Sequence, residues 1–362
     1  MDVARPGEEG PGQPGAAEGG PNLQTPAPVH GLFQRRVSGD NALLELARLR
    51  FAQMGLAAEL YADTPDELEW ILQFVPAHTY LPMVHLNRSI NILGEQDRAL
   101  VGEFARRFTG RVAGFVVHDK AEMATRTDDL LDVMRDLDAR LSERPGSPLV
   151  FLEYAAGSEP GWFVEVAERL RDAERVSCCI DIGHVGIRQA SARFNRHHRG
   201  LRLSGLSPGD GRLPDLAADV QDAAEGAVRD VLDVIRSIGA LGKRVHFHLH
   251  DGHPLIAGLS DHFTFLTRLP IPFSYAGRQS LSMMYGPAGL ASVVWAATEA
   301  CHPRQASFTL EIHQVEGRLP LADASRLFAR WRDTTNAERM NYWLSVIGEN
   351  AILLSEYLAG SV

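Results

Sequence analysis

A single (β/α)8 barrel, the TIM-barrel class of α/β fold, is what the sequence predicts, with a disordered N-terminal tail before it and two long loop insertions within it. Three observations carry that prediction. Short β-branched or aromatic runs alternate with longer amphipathic stretches, the mark of βα units. Eight such units follow one another from about residue 30 onward, and eight in one run favour a closed parallel barrel over an open sheet. Run after run also ends on His, Asp or Glu, and the C-terminal ends of the strands are where a barrel builds its active site.

Residues 1–28 hold six Pro and six Gly, with Val3 and Leu23 as the only large aliphatics, too little apolar surface to offset the entropy of ordering. They read as a tail, and a metal-dependent catalytic domain is expected over 29–362. The first strand is expected at Leu32–Val37, with its helix near 40–54. Leu56–Tyr61 then leads to a helix near 64–75, where Thr64 caps, Pro65 takes the first helical position and Asp66 and Glu67 fill the first turn. Tyr80–Leu86, Val112–His118 and Leu149–Tyr154 follow, with helices near 95–108, 121–142 and 161–173. Val176–Asp181, Val245–Asp251 and Phe308–His313 complete the set, with helices near 216–239, 287–300 and 321–332 and a further one near 336–358. Two segments break the repeat: 188–213, rich in Arg, Gly and Ser, and 253–285, rich in Pro, Ser and aromatics. Long loops of this kind serve as lids or substrate contacts.

Composition narrows the class. At 362 residues, 45% hydrophobic and 23% charged, the chain can bury a large core without stapling. Cys178, Cys179 and Cys301 are the only cysteines and two are adjacent, which disfavours a disulfide framework and favours a reducing cytoplasm. No stretch approaches the ~18 consecutive apolar residues of a membrane span, and the N-terminus lacks the apolar segment of a signal peptide. Neither insertion nor export is therefore expected. The formal charge is −10, of which the tail, with four acids against Arg5, carries −3 and leaves −7 for the barrel. Much of that remainder belongs to the candidate site, so the acidity says little about nucleic acid.

The strand ends carry the chemistry. The third ends Met83-Val84-His85, the fourth Val116-Val117-His118 and the fifth Phe151-Leu152-Glu153. The sixth runs Cys179-Ile180-Asp181 and continues to His184; the seventh is His246-Phe247-His248-Leu249-His250-Asp251, and the eighth Thr309-Leu310-Glu311-Ile312-His313. Alternation places His246, His248 and His250 on one face, and Glu311 and His313 on one face. Carboxylates and imidazoles gathered inside a barrel mouth repel and lose hydration, a conflict that a divalent cation resolves. Mixed oxygen and nitrogen donors suit Mn, Zn, Co or Fe, and Mg less well.

Leu152-Glu153-Tyr154-Ala155-Ala156-Gly157, Asp181-Ile182-Gly183-His184, His248-Leu249-His250-Asp251 and Leu310-Glu311 together resemble the successive motifs of the xylose-isomerase-like barrel superfamily, which includes sugar isomerases and epimerases, inosose dehydratases and the endonuclease IV type of abasic-site nuclease. The resemblance runs from about Leu32 to Leu358. It implies that Glu153, Asp181, His248 and Glu311 hold one divalent metal, that Glu153 and Glu311 exchange a proton beside a substrate carbonyl, and that His184 binds substrate oxygen. His250 and His313 are further substrate-binding candidates. His85, His118, Asp251, Asp261 and His262 are assigned to a second metal or to the surroundings of the first, because histidines at the positions of His85 and His118 join the metal set in endonuclease IV. That branch also has an Asp-x-His after the seventh strand. Here Ser260-Asp261-His262 sets Asp and His adjacent, and Pro254 stands where the epimerases commonly have Arg.

The expected function is a metal-dependent isomerase or epimerase that acts on a small polyhydroxylated metabolite through an enediolate. The alternatives are a dehydratase or lyase on the same path, a multi-zinc phosphodiesterase on abasic DNA, and a barrel that binds a metabolite without turning it over. No membrane partner is expected, nucleic acid is disfavoured by the altered Asp-x-His, and a homo-oligomer remains compatible with the composition. Arg196-His197-His198-Arg199 reads more readily as a solvated run than as a phosphate grip. Cys178 and Cys179 read as packing residues. Gly286-Pro287-Ala288-Gly289 opens a helix and gives only a faint phosphate signal.

Overall fold

The computed structural model describes residues 27–32, 40–75, 80–155, 158–206, 209–255, 273–275, 278–280, 284–301, 305–311 and 336–360. Seven parallel strands follow in chain order: β1 (Val29–Leu32), β2 (Ala57–Ala62), β3 (Met83–Leu86), β4 (Gly114–His118), β5 (Leu149–Tyr154), β6 (Val176–Asp181) and β7 (Val245–Leu249). A short antiparallel pair, β8 (Phe273–Tyr275) and β9 (Arg278–Ser280), lies in the second insertion, and β10 (Ala306–Glu311) is the last barrel strand. The barrel closes in the order β1-β10-β7-β6-β5-β4-β3-β2. The seam pairs Val29 with Phe308 and His30 with Thr309, and Phe308 N–H donates to Pro28 O at 2.9 Å.

The helices are α1 (Asn41–Gln53), α2 (Pro65–Leu72), α3 (Glu95–Arg107), α4 (Thr127–Ser142), α5 (Pro160–Arg169), α6 (Ile182–His197), α7 (Leu213–Gly239), α8 (Gly286–Ala300) and α9 (Asn336–Ala359). Their starts follow local chemistry. Thr64 accepts from Glu67 N–H ahead of Pro65, and Asp181 accepts from His184 N–H at the start of α6. Among the described residues no helix is long and apolar enough to cross a membrane.

Three boundaries differ from the sequence expectation. The first strand sits at 29–32, earlier than Leu32–Val37, because Pro28 and Val29 are the residues that pair with β10; Ala27 is already buried, and residues 1–26 lie outside the described residues. The segment 188–213 is not a loop throughout. Helix α6 continues to His197, since Ile182, Val185, Ile187, Ala190 and Phe194 form a buried face beneath the arginines, and a short 3-10 turn at Leu203–Gly205 leads on towards α7. The expected helix at 121–142 is a 3-10 turn, Ala121–Thr125, followed by α4. The expected helix at 321–332 and most of the insertion at 253–285 lie outside the described residues.

Two apolar clusters hold the domain. The large one lies between the strands and the helical ring; the small one, Met83, Val116, Leu149, Phe151 and Cys179 with Ala113 against it, fills the lower barrel. Cys178 belongs to the outer cluster and Cys179 to the inner, as alternation along the strand requires. Gly114 is needed at the floor, because a Cβ there would lie 2.6 Å from Phe151 Cε2. This plug makes the lower barrel a packed core and leaves chemistry to the upper layers.

Candidate functional site

The inward positions change character along each strand. Two residues after the apolar floor, β3 presents His85 after Met83, β4 His118 after Val116, β5 Glu153 after Phe151 and β6 Asp181 after Cys179. Register brings these to a common height, with His118 beside Glu153 and Asp181 beside His248.

The four expected ligands converge. His248 Nδ1 lies 2.9 Å from Glu153 Oε1 and 3.5 Å from Glu311 Oε1, and donor atoms of Glu153, Asp181 and His248 lie within 4.8 Å of one another. All four residues are at most 1% exposed.

A second donor set adjoins the first through Glu153. His118 Nε2 is 3.1 Å and His85 Nε2 3.5 Å from Glu153 Oε2. His85 Nδ1 lies 3.1 Å from Leu86 O and can donate to it, and its Nε2 faces Glu153. Glu153 Oε2 is buried yet accepts no hydrogen bond among the described residues.

A third set forms where β6 becomes α6. Asp181 Oδ1 accepts from His184 N–H at 2.8 Å and lies 2.7 Å from His250 Nε2, while Oδ2 is 3.6 Å from His184 Nδ1. His250 Nε2 is also 3.8 Å from Glu311 Oε2. Gly183 makes room for this arrangement, since a Cβ there would fall 2.0 Å from His250 Cε1.

Sequence reasoning missed Glu59. From β2 it enters the barrel fully buried, with Oε1 at 3.1 Å from His248 Nε2 and Oε2 at 3.1 Å from His246 Nε2, and Thr309 Oγ1 also donates to Oε2. The available signal was a lone acid at an alternating position in Ala57-Ala58-Glu59-Leu60-Tyr61.

Asp251 is placed differently from the expectation. Its Oδ1 accepts from Gly252 N–H at 2.7 Å and Tyr285 N–H at 3.2 Å, and Oδ2 from Gly286 N–H at 2.9 Å, so it ties the end of β7 to the start of α8. The same bonds place a carboxyl at the helix start where the sequence carries a faint phosphate signal, and burial pushes that carboxyl up to about 7 against the pull of the three N–H groups. His198 pairs with Asp219 at 2.8 Å, and His253 Nδ1 accepts from Leu255 N–H at 3.3 Å. His313, Asp261 and His262 lie outside the described residues.

Electrostatics follows from these contacts. Burial would raise Glu59, but His248 and His246 outweigh it and hold the carboxyl well below its usual value. Burial would likewise raise Glu153, and His118, His85 and His248 hold it well below. Asp181, despite burial, is drawn down to about 2 by His184 and His250. Burial opposes charge on His248, yet Cys179, Glu59 and Glu311 raise it well above its ordinary value; burial keeps the Cys179 thiol itself neutral, so the lasting charge is that of the carboxylates. His118 is pushed down to about 4 by burial.

These residues fit a metal ion. Glu153 Oε2 and Asp181 Oδ2 are buried oxygens without a hydrogen-bond donor among the described residues, at the centre of imidazole and carboxylate donors. An imidazole with a carboxylate at each nitrogen, as His248 has, is stable either as imidazolium or with a cation in place of one proton.

No protein-family model and no curated protein matches the chain. Among solved structures it is similar to a thermostable mutant xylanase from Cellvibrio japonicus, at 11% identity over 80% of this chain and 86% of that one, TM-score 0.42. It is also similar to an endo-beta-1,4-mannanase from Thermotoga petrophila, at 8% over 92% and 78%, TM-score 0.40. A third is a truncated 3-deoxy-D-arabino-heptulosonate 7-phosphate synthase from Thermotoga maritima, at 12% over 89% and 88%, TM-score 0.36. Likeness this distant carries no argument about activity. The closed strand pairing of this chain defines it as a TIM barrel, with a carboxylate and imidazole centre at the mouth.

Proposed function

We propose that the protein is a divalent-metal-dependent enzyme of the xylose-isomerase-like type, acting as an isomerase or epimerase on a small polyhydroxylated carbonyl compound. One observation carries this reading: Glu153 Oε1 and Glu311 Oε1, from strands three places apart in the barrel order, face the same nitrogen of His248 at 2.9 and 3.5 Å, with Asp181 beside them. Glu153, Asp181, His248 and Glu311 would hold the ion, with Mn, Zn, Co or Fe suited to the mixed donors better than Mg. When bound, it would polarise a substrate carbonyl as a Lewis acid.

The chain's own groups supply the rest. A hydrogen alpha to a carbonyl leaves as a proton only when a base is placed at it. Glu153 is held ionised at neutral pH by its histidines and can take that proton, and Glu311 can return one to the enediolate. His184, with its side chain 10% exposed, and His118, with 20%, are the members of the site that meet solvent and can bond substrate hydroxyls. The other donors are sealed, which keeps water from the intermediate.

A second reading is a multi-metal phosphodiesterase, favoured by the second donor set of His85, His118 and Glu153, since adjacent metal sites clamp both oxygens of a displacement. Metal-loaded protein incubated with aldoses, ketoses and inososes in heavy water separates the two. Solvent deuterium at the carbon beside the carbonyl, with one metal per chain, supports the isomerase. About three metals per chain, cleavage of an abasic oligonucleotide and no exchange would overturn it.

A further inference from the structure

We propose that Glu59 is a positioning residue that sets the tautomer of His248, so that this histidine presents Nδ1, and not Nε2, to a divalent cation. The inference rests on the metal reading above and assigns a role to a residue outside the expected ligand set.

The proton assignment is forced by what surrounds Glu59. An ionised carboxylate only accepts, so each group facing it must donate. Oε1 faces His248 Nε2 at 3.1 Å, which therefore carries its hydrogen. Oε2 faces His246 Nε2 at 3.1 Å and takes the Thr309 hydroxyl as well. His246 can keep Nε2–H, since its Nδ1 lies 2.7 Å from Ser307 Oγ, whose hydroxyl can donate to it. The chain Ser307, His246, Glu59, His248 is thus satisfied in one direction, and it ends with His248 Nδ1 facing Glu153 and Glu311, where a bound cation would take the place of the second imidazolium proton.

The opposite tautomer would set a bare Nε2 against a carboxylate oxygen. Glu59, His246, His248 and Thr309 are all 0% exposed, so no bulk water replaces the lost bond, and an unmade bond to a buried charged group is costly. Strand register builds the network: β10 sets Ser307 beside His246 and Thr309 beside His248. Both oxygens of Glu59 are engaged with these donors, which makes it a support and not itself a ligand.

The test measures metal affinity and nitrogen identity. Zn(II), Co(II) and Mn(II) are titrated into the full chain, and a chromophoric chelator competes for each. Glu59→Gln should weaken affinity by about 10–100-fold, the usual effect of losing a carboxylate behind a metal-bound histidine. Val116→Ala, which thins the apolar layer below, controls for stability and should stay within threefold. Independently, long-range ¹⁵N correlation spectra of the Zn(II)-loaded wild type should show His248 protonated at Nε2 and metal-bound at Nδ1. This arm decides the matter if Glu59→Gln does not fold. Unchanged affinity in a folded Glu59→Gln protein, or metal on Nε2, overturns the inference alone. Wild-type protein that takes up none of the three ions overturns the metal reading and this inference with it.

Discussion

His30 and His248 are both buried inside the same barrel, one near the floor and one at the mouth, and their charges are set in opposite directions. His30 is 1% exposed and has carbonyl oxygens at its ring nitrogens, Phe308 O at 3.4 Å and Leu81 O at 3.3 Å. Burial, reinforced by His246, brings it down to about 4, so it is neutral at physiological pH. His248 is 0% exposed, and there the carboxylates overcome burial. Burial is shared, so the neighbours decide. A dipolar carbonyl satisfies an N–H without favouring a charge enough to offset lost hydration, whereas an ionised carboxylate does both. The same contrast separates the apolar plug around Phe151 from the acid and histidine layer two residues further along each strand: the floor stabilises the fold, and the mouth gathers the donors of the proposed metal centre.

The mouth should show the largest effect. Glu153→Gln removes an oxygen shared by two donor sets and the proposed base, and turnover should fall by about 10²–10⁴-fold in steady-state assays while the far-UV spectrum stays unchanged. At the floor, Phe151→Ala should leave the metal sites formally intact and cost roughly 3–5 kcal/mol of stability, read by denaturant unfolding. If Phe151→Ala abolished metal uptake at full stability, the division between floor and mouth would fail.

The histidines sharpen the comparison through pH. The pKa of His30 is depressed in the folded state, so its contribution is present above the unfolded value of 6.5 and is lost as pH falls towards about 4. Wild type should lose about 3 kcal/mol more than His30→Gln between pH 7 and 4. Equal losses in both proteins would remove His30 from the account. The smallest effect expected is that of chelation: removing metal held at 100 times its Kd should cost about 2.7 kcal/mol at neutral pH. Thermal unfolding with and without EDTA checks this, and a transition that does not move would count against a resident ion.

Much of the site was legible because strand chemistry is local. A β-branched run that ends on His85, His118, Glu153 or Asp181 announces both the strand and the end that matters, and alternation along Val245–Leu249 placed His246 and His248 on one face. Helix α6 was obscured because its exposed side is rich in Arg, Asn and His, and its buried face becomes plain only against α7. Asp251 looked like a member of the centre from its neighbours His248 and His250. One residue of pleat turns it away, and the backbone N–H of Gly252 together with those of Tyr285 and Gly286 from another segment receive it.

The sequence by itself determined the repeat, the polarity of each strand end and the kinds of donor available, since these depend on residues adjacent along the chain. The tertiary structure decided which donors meet. Height inside a closed barrel depends on the stagger between strands, which no single strand encodes. That stagger lowers Glu59 of β2 beneath His248 of β7 and aligns Thr309 of β10 with it, so that a lone acid in an apolar run becomes the support of the proposed metal centre.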